Sequence, residues 1–276
     1  MFDVNPVRDA VAAFLPELAD YQLSYFRNTE ILQGYLKGPK ELVSQVDITS
    51  EHMIRHHLGQ IIPEAAFYGE EIEQEIGEEF TWVVDPIDGT VNYVSGLTEW
   101  AISIALLYRK EPLLGIVYKP SDGELYSAVR GEGAFLHDQR LPLLPFHGSL
   151  NDAVIATAFP FRSPDSSGSF YSMAEELLPR CREIRRLGSI ALDLSYTAAG
   201  FLQGYWEADI KLYDIAAALL ILSEAEVAVR DFYGNPFELL KSNSLCAAHA
   251  NIADELTDFT SLHYAAHAAH LTHKEQ

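Results

Sequence analysis

The 276-residue sequence predicts a layered α/β fold in two parts. Residues 101–108, 114–119, 125–129 and 134–136 are strand-like runs divided by turn signals at Glu111-Pro112, Pro120-Ser121-Asp122-Gly123 and Gly131-Glu132-Gly133, which reads as an antiparallel meander. After residue 150 apolar strand runs alternate with helical periods. Between these regimes lies a stretch at 141–149 with two prolines and a glycine, so the expected subdomains are 1–145 and 146–276.

In chain order, residues 6–33 predict a helix, because Val7, Val11, Phe14, Leu15 and Leu18 recur at three- and four-residue spacing. Gly34, Gly38 and Pro39 predict a loop around Lys37. A second helix is expected from about Asp47–Ser50, with Met53, Ile54 and Leu58 facing inward and Pro63 ending it. Phe67-Tyr68 reads as a short strand entering Gly69-Glu70-Glu71, and a strand at 81–84 follows a polar connector. In the second half, strands are expected at 154–158, 183–187, 204–206 and 227–230, and helices at 169–178, 190–199 and 214–225. The last of these helices is apolar on nearly every side and is therefore expected to be buried.

Composition narrows the function. Acidic residues outnumber basic ones 40 to 19, for a formal charge of −21, and such a surface repels nucleic acid and anionic membranes. The two cysteines, Cys181 and Cys246, lack metal-type spacing. With no signal-like N-terminus and no run of about 18 apolar residues, the expectation is a cytoplasmic protein without a membrane span.

The densest chemical signal is Trp82-Val-Val-Asp85-Pro-Ile-Asp88-Gly-Thr90. A hydrophobic strand runs into two carboxylates three apart. Pro86 and Gly89 let them converge, and Gly89 and Thr90 offer N–H groups beside them, a plan for holding Mg²⁺ and a phosphate together. Asp-Pro and Asp-Gly are also common turn formers. The strand, the doubled aspartate and Gly69-Glu70-Glu71 upstream are together far more specific than either turn. Asp214 precedes the all-apolar helix and reads either as its cap or as a buried carboxylate that needs a partner. Asp47 has the same two readings, and Gly188-Ser189 opens a helix as a plain cap or a substrate-facing loop. His263, His267 and His270, like His52 and His56, share helical faces at chelating spacings, for which an exposed tail helix is the simpler account.

Together these stretches resemble the inositol monophosphatase family of Mg²⁺-dependent, lithium-sensitive phosphatases, over roughly residues 5 to 260. The matching segments are Gly69-Glu70-Glu71, Asp85-Pro-Ile-Asp88-Gly-Thr90, Gly188-Ser189 and Asp214-Ile-Ala-Ala217 with Glu224-Ala225. The resemblance implies the αβαβα sandwich of inositol monophosphatases and fructose-1,6-bisphosphatases, with the site between the halves. It implies a first Mg²⁺ on Glu70, Asp85 and the backbone carbonyl of Ile87, a second on Asp85, Asp88 and Asp214, and a weaker third on Glu70 and waters. Gly89 and Thr90 would donate to the phosphate, Asp47 and Thr90 with Glu70 would serve the attacking water, and Glu207 would contact a substrate hydroxyl. Asp88, Asp214, Gly188 and Ser189 would also face the substrate, and Lys37 would lie in a mobile loop near the third metal.

The physics agrees, since four carboxylates offset about two divalent ions and leave a site able to accept a phosphate dianion. Three positions depart from the family pattern: Tyr213 for Trp, Glu226-Val227 for Gly-Gly and Val91 for Thr. Val91-Asn92-Tyr93 resembles the inositol monophosphatase branch, whereas the phosphoadenosine phosphatase branch carries Lys-Glu-Phe there. The expected activity is hydrolysis of a small sugar-type monophosphate, inositol 1-phosphate first, by a homodimer. Bisphosphate nucleotidase, fructose-1,6-bisphosphatase, histidinol phosphatase and NADP phosphatase activities belong to the same superfamily. A non-catalytic, protein-binding role is the reading from another class.

Overall fold

A computed structural model describes residues 3–28, 35–38, 41–72 and 74–265, with the backbone course alone for 35–38 and 41–43. Helix α1 (Asn5–Tyr25) is followed by a ribbon of β1 (Tyr35–Gly38) and β2 (Glu41–Val43), then α2 (Gln45–Ile61), β3 (Ala66–Gly69), β4 (Phe80–Asp88) and α3 (Thr90–Ser95). The meander comprises β5 (Ala101–Tyr108), β6 (Glu111–Lys119), β7 (Glu124–Val129), β8 (Gly133–Leu136) and β9 (Gln139–Arg140). Then come β10 (Val154–Thr157), α4 (Ser167–Leu177), β11 (Glu183–Arg185), α5 (Ile190–Ala199), β12 (Gly204–Ala208), α6 (Leu212–Glu224), β13 (Ala228–Arg230), β14 (Ser244–Ala248) and α7 (Ala250–Tyr264).

The first half forms one sheet in simple chain order, β3 to β9, antiparallel except for the parallel β3–β4 pair. The second sheet has the order β11-β10-β12-β14-β13, parallel at its β11-β10-β12 end and antiparallel beyond. Strand alternation explains the layering. Trp82 and Val84 on β4 pack with Leu15, Leu18, Ile54 and Leu58 of α1 and α2. Val83 points the other way, into a core shared by α5, α6 and both sheets. On the outer face of the second sheet, Ile155, Trp206 and Cys246 pack against Phe170 and Met173 of α4 and Leu256 of α7. The result is the αβαβα sandwich that the sequence resemblance implied.

The interior helix layer sits unusually close to the first sheet. A β-carbon on Gly115 of β6 would lie 2.3 Å from the carbonyl oxygen of Ala217 on α6, so main chain meets main chain there. Ala216, Ala217 and Ala218 allow this approach, since larger side chains would hold the helix off.

Several expectations are corrected. Helix α1 stops at Tyr25, not at 33: Phe26 is extended and Arg27 adopts a left-handed backbone with φ 63°. The expected remainder, 29–33, lies outside the described residues. The backbone around Lys37, expected as a loop, pairs as a ribbon, with Tyr35 opposite Val43. Strand β4 runs on to Asp88, and α3, β9 and β14 were not expected. The segment 141–149 is irregular and connects the two sheets.

Candidate functional site

Strand β4 carries the first two carboxylates, and its register explains how they meet. Residues three apart on a regular strand point to opposite faces. Here Asp85 pairs with Ser103 and Asp88 with Ala101, so β4 spends one residue more than β5 across that interval. This β-bulge at Pro86-Ile87 turns Asp88 back to the face of Asp85, the face toward the interior helices. Pro86 fits because a bulged residue owes no ladder donor. The bulge also frees backbone groups. The Ile87 N–H donates to Asp85 Oδ1 at 3.0 Å, the Ile87 carbonyl accepts from Thr90 Oγ1 at 3.1 Å, and the Pro86 carbonyl accepts from Gln22 Nε2 at 2.9 Å.

Asp214 arrives from the second half on the first turn of α6. Oxygens of Asp85, Asp88 and Asp214 lie within 4.8 Å of one another, and all three residues are buried. Asp214 is also a cap, as its Oδ2 accepts from Lys211 N–H at 2.9 Å and from Arg162 Nη1 at 2.7 Å. Asp88 Oδ2 accepts from Ser189 Oγ at 2.5 Å and Ala191 N–H at 2.7 Å, which ties it to the start of α5. Ser189 caps the same helix by accepting from Leu192 N–H. The cap reading of Asp214 and Ser189 therefore holds, and both residues also line the cleft.

Asp47 follows the same rule. Its Oδ2 accepts from the N–H and the hydroxyl of Ser44, the α2 cap, while Oδ1 accepts from Thr90 Oγ1 at 3.2 Å. Thr90 opens α3, preceded by Gly89 at φ +98°, where a β-carbon would also lie 2.9 Å from the Glu99 carbonyl. Only glycine suits that position. Glu70 stands at the end of β3, with its N–H donating to the Val84 carbonyl at 3.2 Å. It lines the same cleft as the aspartates but lies outside their 4.8 Å group. Gly188, Ser189, Asp193, Tyr205, Glu207, Arg162 and Arg186 also line the cleft.

The electrostatics describe a surplus of buried negative charge. Burial raises the Asp85 carboxyl well above its usual range, and the charges of Glu70, Asp88, Asp214 and Asp47 raise it further. Burial, then Asp214, pushes Asp88 up to about 7 against the hydrogen bonds from Ser189 and Ala191. Asp47 is pushed to about 6 and Glu207 to about 7, in both cases chiefly by burial. Glu207 Oε2 accepts from the Tyr205 hydroxyl. A cation among these oxygens would relieve their mutual repulsion, and an all-oxygen donor set suits Mg²⁺.

The cleft therefore gathers Glu70, Asp85, Ile87, Asp88, Gly89, Thr90, Gly188, Ser189, Glu207 and Asp214. Asp47 reaches it through Thr90. Lys37 lies on the β1 backbone, and its side chain is outside the described residues. Among the histidines, His263 accepts no tail role: its ring contacts Ser172 and Glu176 of α4 at 3.1 and 3.0 Å. His267 and His270 lie outside the described residues. No histidine joins a metal-type group among the described residues. Glu226 takes the left-handed backbone (φ 60°) that glycine would favour, is exposed, and does not line the cleft.

Sequence reasoning missed Glu51 and Arg162. The Glu51 carboxylate, fully buried on α2, accepts from the N–H groups of Glu71 and Ile72 at 2.7 and 2.8 Å and so shapes the Glu70 turn. Its position one helical turn after Asp47 was a usable signal. Arg162 lies in an irregular segment whose approach to Asp214 has no local sign.

A model of the inositol monophosphatase family matches residues 6–263. An inositol-1-monophosphatase of Rhizobium meliloti strain 1021 is 38% identical over 235 residues, covering 84% of this chain and 88% of that protein. The Nus factor SuhB of Vibrio cholerae serotype O1 is 37% identical over 223 residues, covering 80% of this chain and 83% of its own. Among solved structures, the extragenic suppressor protein SuhB of Bartonella henselae superposes with a TM-score of 0.87 at 32% identity, over 92% of this chain and 98% of that one.

Proposed function

Because the chain belongs to the inositol monophosphatase family, we propose that it is a Mg²⁺-dependent phosphomonoesterase acting on a small sugar-type monophosphate, with inositol 1-phosphate the first substrate to try. The observation that carries this reading is the convergence of Asp85, Asp88 and Asp214 within 4.8 Å beside the Thr90–Asp47 pair. Two Mg²⁺ ions, with a weaker third, would be held by Glu70, Asp85, the Ile87 carbonyl, Asp88 and Asp214. Bound there, the metal would supply a Lewis acid that makes water more acidic and offsets charge building on the leaving oxygen.

The chain's own residues do the rest. The Thr90 hydroxyl hydrogen is directed between Asp47 Oδ1 and the Ile87 carbonyl, which leaves the Thr90 Oγ1 lone pairs free to accept from the attacking water and hold it in line. The N–H groups of Gly89 and Thr90 begin a helix, so they lack intrahelical acceptors and can donate to phosphoryl oxygens. Ser189 and Ala191 fix the Asp88 carboxylate. Glu207 and the Gly188-Ser189 turn face the alcohol half of the ester. The exposed side chains of Phe159, Tyr171 and Leu178 along one groove favour a homodimer.

Phosphate release from inositol 1-phosphate, fructose 1,6-bisphosphate, 3′-phosphoadenosine 5′-phosphate, histidinol phosphate and NADP tests the reading. Each ester is run with Mg²⁺, with EDTA and with Asp88→Asn. One ester should dominate, and both EDTA and the substitution should silence it. The name of the Vibrio relative supports a second reading, a protein-binding regulator. That role would survive Asp88→Asn, whereas a catalytic role would not.

A further inference from the structure

One buried carboxylate in the cleft has no task in the scheme above. Asp193 sits in the first turn of α5, is 1% exposed, and lines the cleft between Ser189 and Glu207. Its Oδ1 has no hydrogen-bond partner among the described residues. Neighbouring hydroxyl donors are already committed: Ser189 Oγ donates to Asp88, the Tyr205 hydroxyl donates to Glu207, and Thr197 Oγ1 reaches only the Asp193 backbone carbonyl. The charges that face it are Asp88 and Glu207, of its own sign, and the Arg186 guanidinium on the same cleft wall. A buried acceptor left without a donor costs stability and is retained where something else supplies the donor.

We propose that Asp193 is a specificity-determining residue whose unpartnered Oδ1 accepts a hydrogen bond from a hydroxyl on the alcohol half of the substrate. The proposal rests on the phosphatase reading and narrows it to esters of polyols. Asp193 and Glu207 then form two acceptors on one wall, so an alcohol carrying several hydroxyls satisfies both, while a plain aryl or alkyl alcohol leaves Asp193 orphaned. A site built to accept from a hydroxyl discriminates strongly against an analogue that lacks it.

The test compares kcat/KM for inositol 1-phosphate and phenyl phosphate in the wild type, Asp193→Leu and Asp193→Asn, all with Mg²⁺. In Asp193→Leu the ratio of the two should fall by about tenfold or more. In Asp193→Asn, which keeps a carbonyl oxygen at the same place, most of the ratio should return. In EDTA the melting temperature of Asp193→Leu should equal or exceed that of the wild type, since an orphaned carboxylate has been removed. The proposal is overturned if the ratio is unchanged in Asp193→Leu. It is also overturned if both esters slow in proportion while the melting temperature drops, the mark of a structural residue. If the wild type hydrolyses neither ester while another ester of the panel is cleaved, the inositol-phosphate reading fails and the proposal with it; if none of the panel is cleaved, the phosphatase reading itself fails.

Discussion

Substituting Asp47 by asparagine should make the protein more stable and less active, and the gain should depend on pH. Asp47 is fully buried and titrates at about 6 in the folded chain, against 3.8 for an unperturbed aspartate. The folded state therefore holds this proton more tightly than the unfolded state. Its contribution to stability is complete below about pH 3.8 and is lost as pH rises through about 6, a loss of about 3 kcal/mol. Asparagine is neutral throughout and escapes that loss, but it accepts more weakly from Ser44 as a cap, which costs about 1 kcal/mol. At pH 8 in EDTA, Asp47→Asn should gain about 2 kcal/mol over the wild type, and at pH 4 it should lose about 1 kcal/mol. Urea denaturation of both proteins at the two pH values gives the double difference, in which every carboxylate not coupled to Asp47 cancels, leaving Asp47 with its neighbours Asp85 and Glu70. Turnover should meanwhile fall by about 10²-fold, because Thr90 loses its charged acceptor. An equal effect of the substitution at both pH values would refute the reasoning, since burial would then not be what raises this group.

Three further outcomes are expected. Glu224 on α6 accepts from the N–H groups of Gly131 and Gly133 at 2.7 and 2.8 Å, pinning the β7–β8 turn, so Glu224→Ala should cost about 2–3 kcal/mol in urea denaturation and Glu224→Gln about half of that. Adding Mg²⁺ at about 100 times its Kd should raise wild-type stability by about 2.7 kcal/mol, seen as a rise in melting temperature, and Asp85→Asn should abolish most of that rise. Gly115→Ala places a methyl group against the Ala217 carbonyl and should cost about 1–3 kcal/mol by the same denaturation assay.

The elements read correctly from the sequence were those whose pattern is local. The meander strands and α5 announce themselves through apolar runs between turn signals, and the aspartate motif through its residue types. Strand β14 was missed because Ser244–Ala248 is buried on both faces and made of small residues, so no alternation marks it. The length of β4 was missed because Pro86 reads as a strand end, and only pairing with β5 shows that a bulge absorbs it. Asp47 and Asp214 were ambiguous between cap and site, and sequence could not separate the two because a capping carboxylate can also turn its other oxygen toward the cleft. Arg162 and the orphaned oxygen of Asp193 depend on which strands of the second sheet are neighbours, information spread over the whole second half.

The main-chain contact between Gly115 and Ala217 has a consequence for ion choice. Asp214 stands one turn before Ala217 on α6, and Asp85 stands two strands from Gly115, so the layer spacing would act as a ruler across the carboxylates. Mg²⁺ requires oxygens at about 2.0–2.1 Å and Ca²⁺ at about 2.3–2.6 Å. A ruler made of backbone has little give, which suits the smaller ion. Discrimination by ionic radius would then be set not by the ligands themselves but by a glycine on the sheet beneath them.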